Sequence, residues 1–190
     1  LDCANAAAPL AAAARPRPRW ARHEVPVRVA IVIPAAPPPA VAFATECVDR
    51  LHSTAESHSR IMVVEVMGRY AGWIALNTGV SGSVDAILLP EIPYDIGKVA
   101  AKVAERFHGG AGFALVVVSE GARPVGGTYS VKEREIGRAE RLGGAGEIVA
   151  RELQRLTGRE ARHVVLGHLL RGGRPTHFDR LISLRFGAAA

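Results

Sequence analysis

Cysteine is nearly absent from the 190 residues: only Cys3 and Cys47 occur. Two such residues make neither a disulfide framework nor a metal-ligand spacing, which fits a reducing cytosol and points to a cytoplasmic protein. Aromatic residues are also scarce, at 5%. A nucleic-acid-binding face combines concentrated basic charge with interleaved aromatics. Beyond the first 30 residues the charges are of mixed sign, so no such partner is expected. No apolar run approaches the roughly eighteen residues of a membrane span, so no membrane partner is expected either. Serine is missing from the first 22 residues, which argues against reading that Arg-rich, acid-poor leader as an organelle transit peptide. No repeat of fixed period runs through the chain.

What is present suffices for one ordinary domain with a core, since 48% of the residues are apolar. The net charge of +6 is uneven. Arg15, Arg17, Arg19, Arg22 and Arg28 stand against Asp2 and Glu24, so half of the surplus falls in the first 30 residues. Residues 1–24 read as a low-complexity, disordered tail or the end of a fragment, and residues 25–190 as an α/β domain. Within that domain residues 25–33 suggest a strand, broken by Pro34 and by Pro37 to Pro39.

From Ala40 onward, strands and helices alternate. Val41, Ala44, Val48 and Leu51 predict a helix over 40–58. A strand follows at 61–66, a helix at 70–78, and a strand at 86–89 closed by Pro90. Asp95 is a plausible N-cap for a helix over 95–107, which stops before Gly109 and Gly110. The apolar, partly β-branched run at 113–119 suits a strand buried on both faces. A polar excursion occupies 121–146, and its charged run from Lys132 to Glu135 reads as a solvated face. A helix at 147–156, a strand at 162–166 and a helix at 175–186 complete the pattern. Such alternation predicts a parallel sheet flanked by helices.

The polar residues fall into two groups on that sheet. Met67, Gly68 and Arg69 follow one strand, Glu120 another, and His168 and Arg171 a third. All lie at carboxyl ends, where open α/β sheets bind phosphorylated ligands. Guanidiniums fork onto phosphate oxygens, a carboxylate accepts hydroxyl hydrogens, and glycine admits close approach. The set suits a polyol phosphate; a surface salt-bridge cluster is the alternative. Arg60 and Arg162 precede their strands, so they belong at the opposite rim. If they bind ligand, it is a neighbouring subunit's; otherwise they are strand-flanking charges.

From about Phe43 to Ala190 the chain resembles the sugar-phosphate half of the 6-phosphofructokinase family. The resemblance rests on Val63-Val-Glu-Val-Met-Gly-Arg69, Leu89-Pro-Glu-Ile-Pro93, Val118-Ser-Glu120, Thr157-Gly-Arg-Glu-Ala-Arg162 and Leu166-Gly-His-Leu-Leu-Arg-Gly-Gly-Arg-Pro175. It implies that Met67, Gly68 and Arg69 bind fructose 6-phosphate, with Arg69 near the transferred phosphoryl group. It implies that Glu120 holds sugar hydroxyls and that His168 and Arg171 surround the sugar and its 6-phosphate. Arg60 and Arg162 match arginines that cross into a neighbour's site in a homo-oligomer, and Arg60 joins Arg69 at the transition-state phosphate. Glu91 matches a position near the family's regulatory site, or is a charge in a turn between two prolines.

The family also implies magnesium with ATP or pyrophosphate as donor. Its donor loop, of the Gly-Gly-Asp-Gly type, and its catalytic aspartate, in a Thr-Ile-Asp-Asn-Asp type segment, do not occur in these 190 residues. After residues 29–33 come only prolines and alanines, and the first acid beyond Glu24 is Glu46. The expectation is a phosphofructokinase-type phosphotransferase, truncated and inactive alone. A non-catalytic sugar-phosphate-binding or regulatory subunit, or a degenerate fragment, are the alternatives.

Overall fold

The computed structural model describes residues 38–128, 130–133 and 141–189. The expected tail at 1–24 and strand at 25–33 lie outside the described residues, as does part of the charged run at 132–135. The described chain runs α1 (Pro38–Ser57), β1 (Ile61–Val66), α2 (Trp73–Ser81), β2 (Ala86–Leu88), α3 (Ile96–His108) and β3 (Ala114–Ser119). It continues with β4 (Val131–Glu133), β5 (Arg141–Leu142), α4 (Ala145–Thr157), β6 (Ala161–Val165), a 3-10 turn (Gly167–Arg171) and α5 (His177–Ala189).

Four strands form one parallel sheet in the order β2-β3-β1-β6. Every residue of β1 and β3 is buried. Strand side chains alternate between faces, so each of these strands feeds two cores. Ile61, Val63, Val116 and Val118 pack with Val99, Val103, Val149 and Leu153 of α3 and α4. Met62, Val64, Leu115 and Val117 pack with Ala44, Val48 and Ala75 of α1 and α2. Each fully buried Val or Leu is worth about 1.5–3 kcal/mol. The sheet therefore needs a helical layer on both sides. β6 differs: as an edge strand among the described residues it leaves Arg162, His163 and Val165 exposed.

Local signals place most boundaries. Asp95 caps α3 by accepting hydrogen bonds from Gly97 N and Lys98 N, and Gly109 ends that helix. α2 begins three residues later than its spacing suggests, because residues 67–72 are spent on a turn. β6 begins one residue before the expected strand, and α5 two residues after the expected helix start. The excursion at 121–146 holds a small antiparallel pair, β4 with β5, that the sequence pattern does not reveal. No helix among the described residues is long and apolar enough to cross a membrane.

Candidate functional site

The ladder aligns three strand ends. Val66 lies opposite Ser119, the last residue of β3, and Glu65 lies opposite Val165, the last residue of β6. The chain leaves β1 at the centre of this rim, with Glu120 on its β3 side and His168 and Arg171 on its β6 side. Neighbouring strands lie about 4.8 Å apart, so the two flanks are separated by roughly 10 Å.

The central exit is a tight turn. Arg69 adopts φ +52, a left-handed conformation that few non-glycine residues accept. Two carboxylates brace the turn through its backbone. Glu120 Oε1 accepts from Gly68 N at 3.2 Å and from Arg69 N at 2.9 Å. Glu91 Oε1 accepts from Gly72 N at 2.7 Å. Glu120 is itself fixed because its N–H donates to Val66 O at 2.9 Å. Its second carboxylate oxygen makes no hydrogen bond among the described residues and remains available to a hydroxyl. Beneath the turn, a Cβ at Gly121 would collide with the Arg69 carbonyl, so glycine is required there for space. Met67 is half-buried against the α1/α2 core and anchors the start of the turn. The Arg69 side chain is exposed, with its guanidinium 5.9 Å from the Tyr70 ring centroid.

The β6 flank is a 3-10 turn held by buried Leu166 and Leu170. Leu166 N donates to Glu65 O at 3.0 Å, tying the turn to β1. His168 and Arg171 are exposed and make no side-chain hydrogen bond or ion pair among the described residues. Arg171, Gly172, Gly173 and Arg174 line a cavity of about 320 Å³ with Pro39 and Ala40 from the start of α1. Asp179 also lines it, but its carboxylate already accepts from Thr176 N at 2.7 Å and Thr176 Oγ1 at 2.8 Å. Arg174 is a cationic lining residue that sequence reasoning overlooked. Its signal was present in the Arg-Gly-Gly-Arg run.

Glu65 was also overlooked. It is 2% exposed, yet its carboxylate accepts from Gly144 N at 3.2 Å and Gly146 N at 2.8 Å. It thus caps α4 from another element, where Gly144 supplies no side chain. No short-range pattern announces a contact between such distant residues.

Arg60 lies just ahead of β1 at the opposite, amino rim, whereas Arg162, expected ahead of its strand, is the second residue of β6 and pairs with Met62, because β6 begins at Ala161. Ile61 opposes Ala161, so the residues before them are neighbours. There both arginines meet one carboxylate, that of Glu160. They join none of the groups at the carboxyl rim within one subunit.

Among the described residues no group of three or more His, Cys, Asp or Glu side chains could hold a metal ion. The carboxylates at the rim are instead bonded to backbone N–H groups. The described residues therefore do not fit the magnesium that the resemblance implies.

A family model described as Phosphofructokinase matches residues 39–190. The chain is 55% identical over 151 residues to the ATP-dependent 6-phosphofructokinase of Chloroflexus aggregans, covering 80% of this chain and 41% of that protein. It is 50% identical over 155 residues to the pyrophosphate–fructose 6-phosphate 1-phosphotransferase of Streptomyces coelicolor, covering 80% and 44%. Among solved structures it is similar to a pyrophosphate-dependent phosphofructokinase from Nitrosospira multiformis, with a TM-score of 0.64 and 27% identity, covering 80% of this chain and 37% of that one. The chain spans less than half the length of these curated relatives.

Proposed function

The chain belongs to the phosphofructokinase family, and we propose that it supplies the acceptor half of a phosphofructokinase site, binding fructose 6-phosphate at the carboxyl rim of its sheet. One observation carries this reading. Glu120 is bonded to the Gly68 and Arg69 N–H groups, while cationic and imidazole groups stand on the other side of β1. A sugar laid across the rim meets a free carboxylate oxygen at its hydroxyls and guanidiniums at its phosphate. Arg171, and with it Arg174, suits the 6-phosphate. Arg69, which leaves the centre of the rim, suits the phosphoryl group arriving at the 1-hydroxyl. Arg60 and Arg162 face away and serve a neighbouring subunit's site in a homo-oligomer.

In the complete reaction the sugar's 1-hydroxyl attacks the terminal phosphate of the donor and yields fructose 1,6-bisphosphate. Phosphoryl transfer depends on positioning of the donor and on electrostatic stabilisation. The family's donor loop and catalytic aspartate have no counterpart in these 190 residues. A missing general base alone costs about 10²–10⁴-fold in rate, and a missing donor site removes proximity as well. Transfer thus requires polypeptide that carries those groups. The relatives named for ATP and for pyrophosphate match this chain at 55% and 50% identity. The acceptor half is common to both kinds of enzyme and does not select the donor.

Calorimetric titration with fructose 6-phosphate, with fructose as the control, tests the reading. Saturable, phosphate-dependent binding is expected, with no turnover in a coupled assay with either donor. A folded chain that binds neither sugar would refute the acceptor site, and turnover well above background would refute the division of roles.

A further inference from the structure

The amino rim carries a charged cluster of its own, separate from the acceptor site. Arg162 Nη2 lies 2.7 Å and Arg162 Nε 2.8 Å from Glu160 Oε1. Arg60 Nη2 lies 3.3 Å from Glu160 Oε2. Each carboxylate oxygen thus holds one guanidinium. The frame beneath them is the β1–β6 ladder, extended by Ile61 N donating to Glu160 O at 2.9 Å. Arg60 is largely covered, and its Nε is buried with no hydrogen-bond acceptor. Glu160 has 42% of its side chain exposed, so its carboxylate has room to turn to water.

Two guanidiniums on one carboxylate leave a net charge of +1 and a donor without a partner. A phosphate monoester offers three oxygens and more negative charge than a carboxylate, so it can engage both forks together. Glu160 and a phosphate cannot hold the same donors at once. Resting on the reading that Arg60 and Arg162 serve a neighbour's sugar phosphate, we infer that Glu160 is an internal competitor for that phosphate. It occupies the two arginines in the empty subunit and must release them before they reach the neighbour's ligand. Glu160 is therefore a positioning residue that sets the affinity of the shared site.

The test is calorimetric titration of fructose 6-phosphate into the chain and into its Glu160→Gln and Arg162→Gln variants. Glutamine keeps the shape of glutamate and removes the charge. Exposed ion pairs are weak, so Glu160→Gln should lower Kd by no more than about fivefold for each of the two pairs it releases. Structural damage weakens binding, whereas removal of the competing carboxylate tightens it. Arg162→Gln should raise Kd. Unchanged or weaker binding by Glu160→Gln, with Arg162→Gln weakened as expected, would overturn the competition and leave the shared site standing. An Arg162→Gln variant with the parent's affinity would remove the cross-subunit role and the competition with it. A parent that binds no fructose 6-phosphate would overturn the acceptor site itself.

Discussion

Replacing Gly121 with alanine tests whether the turn after β1 is the seat of binding. The backbone of Gly121 is outside the left-handed region, so alanine is permitted by conformation and excluded only by space. Its Cβ would overlap the Arg69 carbonyl oxygen and lie 3.0 Å from the Arg69 carbonyl carbon and 3.4 Å from Pro90 Cβ. The nearest obstacles are backbone atoms, which cannot rotate away as a flexible side chain does. The turn must shift, and overpacking of this kind costs about 1–3 kcal/mol. For a chain of this size each kcal/mol lowers Tm by about 2–4 °C. The functional loss should be larger than the thermal one. Arg69 N and Gly68 N are the donors to Glu120, so moving the turn misaligns the carboxylate and the guanidinium together. Kd for fructose 6-phosphate should therefore rise more than the thermal loss alone would explain. Titration with fructose 6-phosphate and a thermal melt on the same sample separate the two effects. An alanine variant with the parent's affinity and a Tm within a degree of it would refute this account of the turn.

Two further outcomes follow from buried groups. Glu65→Ala removes the cap of α4 and leaves the Gly144 and Gly146 N–H groups without their acceptor, so urea denaturation should show a loss of about 1–3 kcal/mol; a midpoint equal to the parent's would show that water replaces the carboxylate at no cost. Burial, and secondarily the neighbouring Glu46 carboxylate, hold the Cys47 thiol above its ordinary pKa. The neutral thiol then prevails at neutral pH, and the thiolate is the reactive form. In a Cys3→Ser background, alkylation should be slower than for a free thiol and still rising where a free thiol has levelled off. A plateau at the free-thiol pH would contradict the burial.

Strand β1 was readable to the residue because its apolar run is bounded by Arg60 and by Met67-Gly68. Asp95 and Gly109 likewise announce both ends of α3. The rim was readable for a related reason: parallel strands place everything that follows them on one side. What stayed hidden depends on long-range geometry. β4 and β5 span three and two residues, too few for alternation to register. The start of α2 was missed because Tyr70 and Ala71 carry no mark of the left-handed turn at Arg69. Chain order put Arg60 ahead of β1 but misplaced Arg162, which lies inside β6, and their common hold on Glu160 depends on the β1–β6 register. The cap that Glu65 places on α4 is invisible for the same reason, since it joins residues 65 and 146.

The position of β1 also sets a schedule for synthesis. It is made before both of its partners, β3 at residues 114–119 and β6 at 161–165, and it lies between them. At about 5–20 residues per second, roughly 5–20 s separate its emergence from that of β6. Throughout that interval Ile61-Met-Val-Val-Glu-Val66, with one charge and no proline, keeps unpaired backbone exposed. Segments of this composition pair readily with one another. The strand that organises the finished rim is thus the one a ribosome-bound chain most needs to shield.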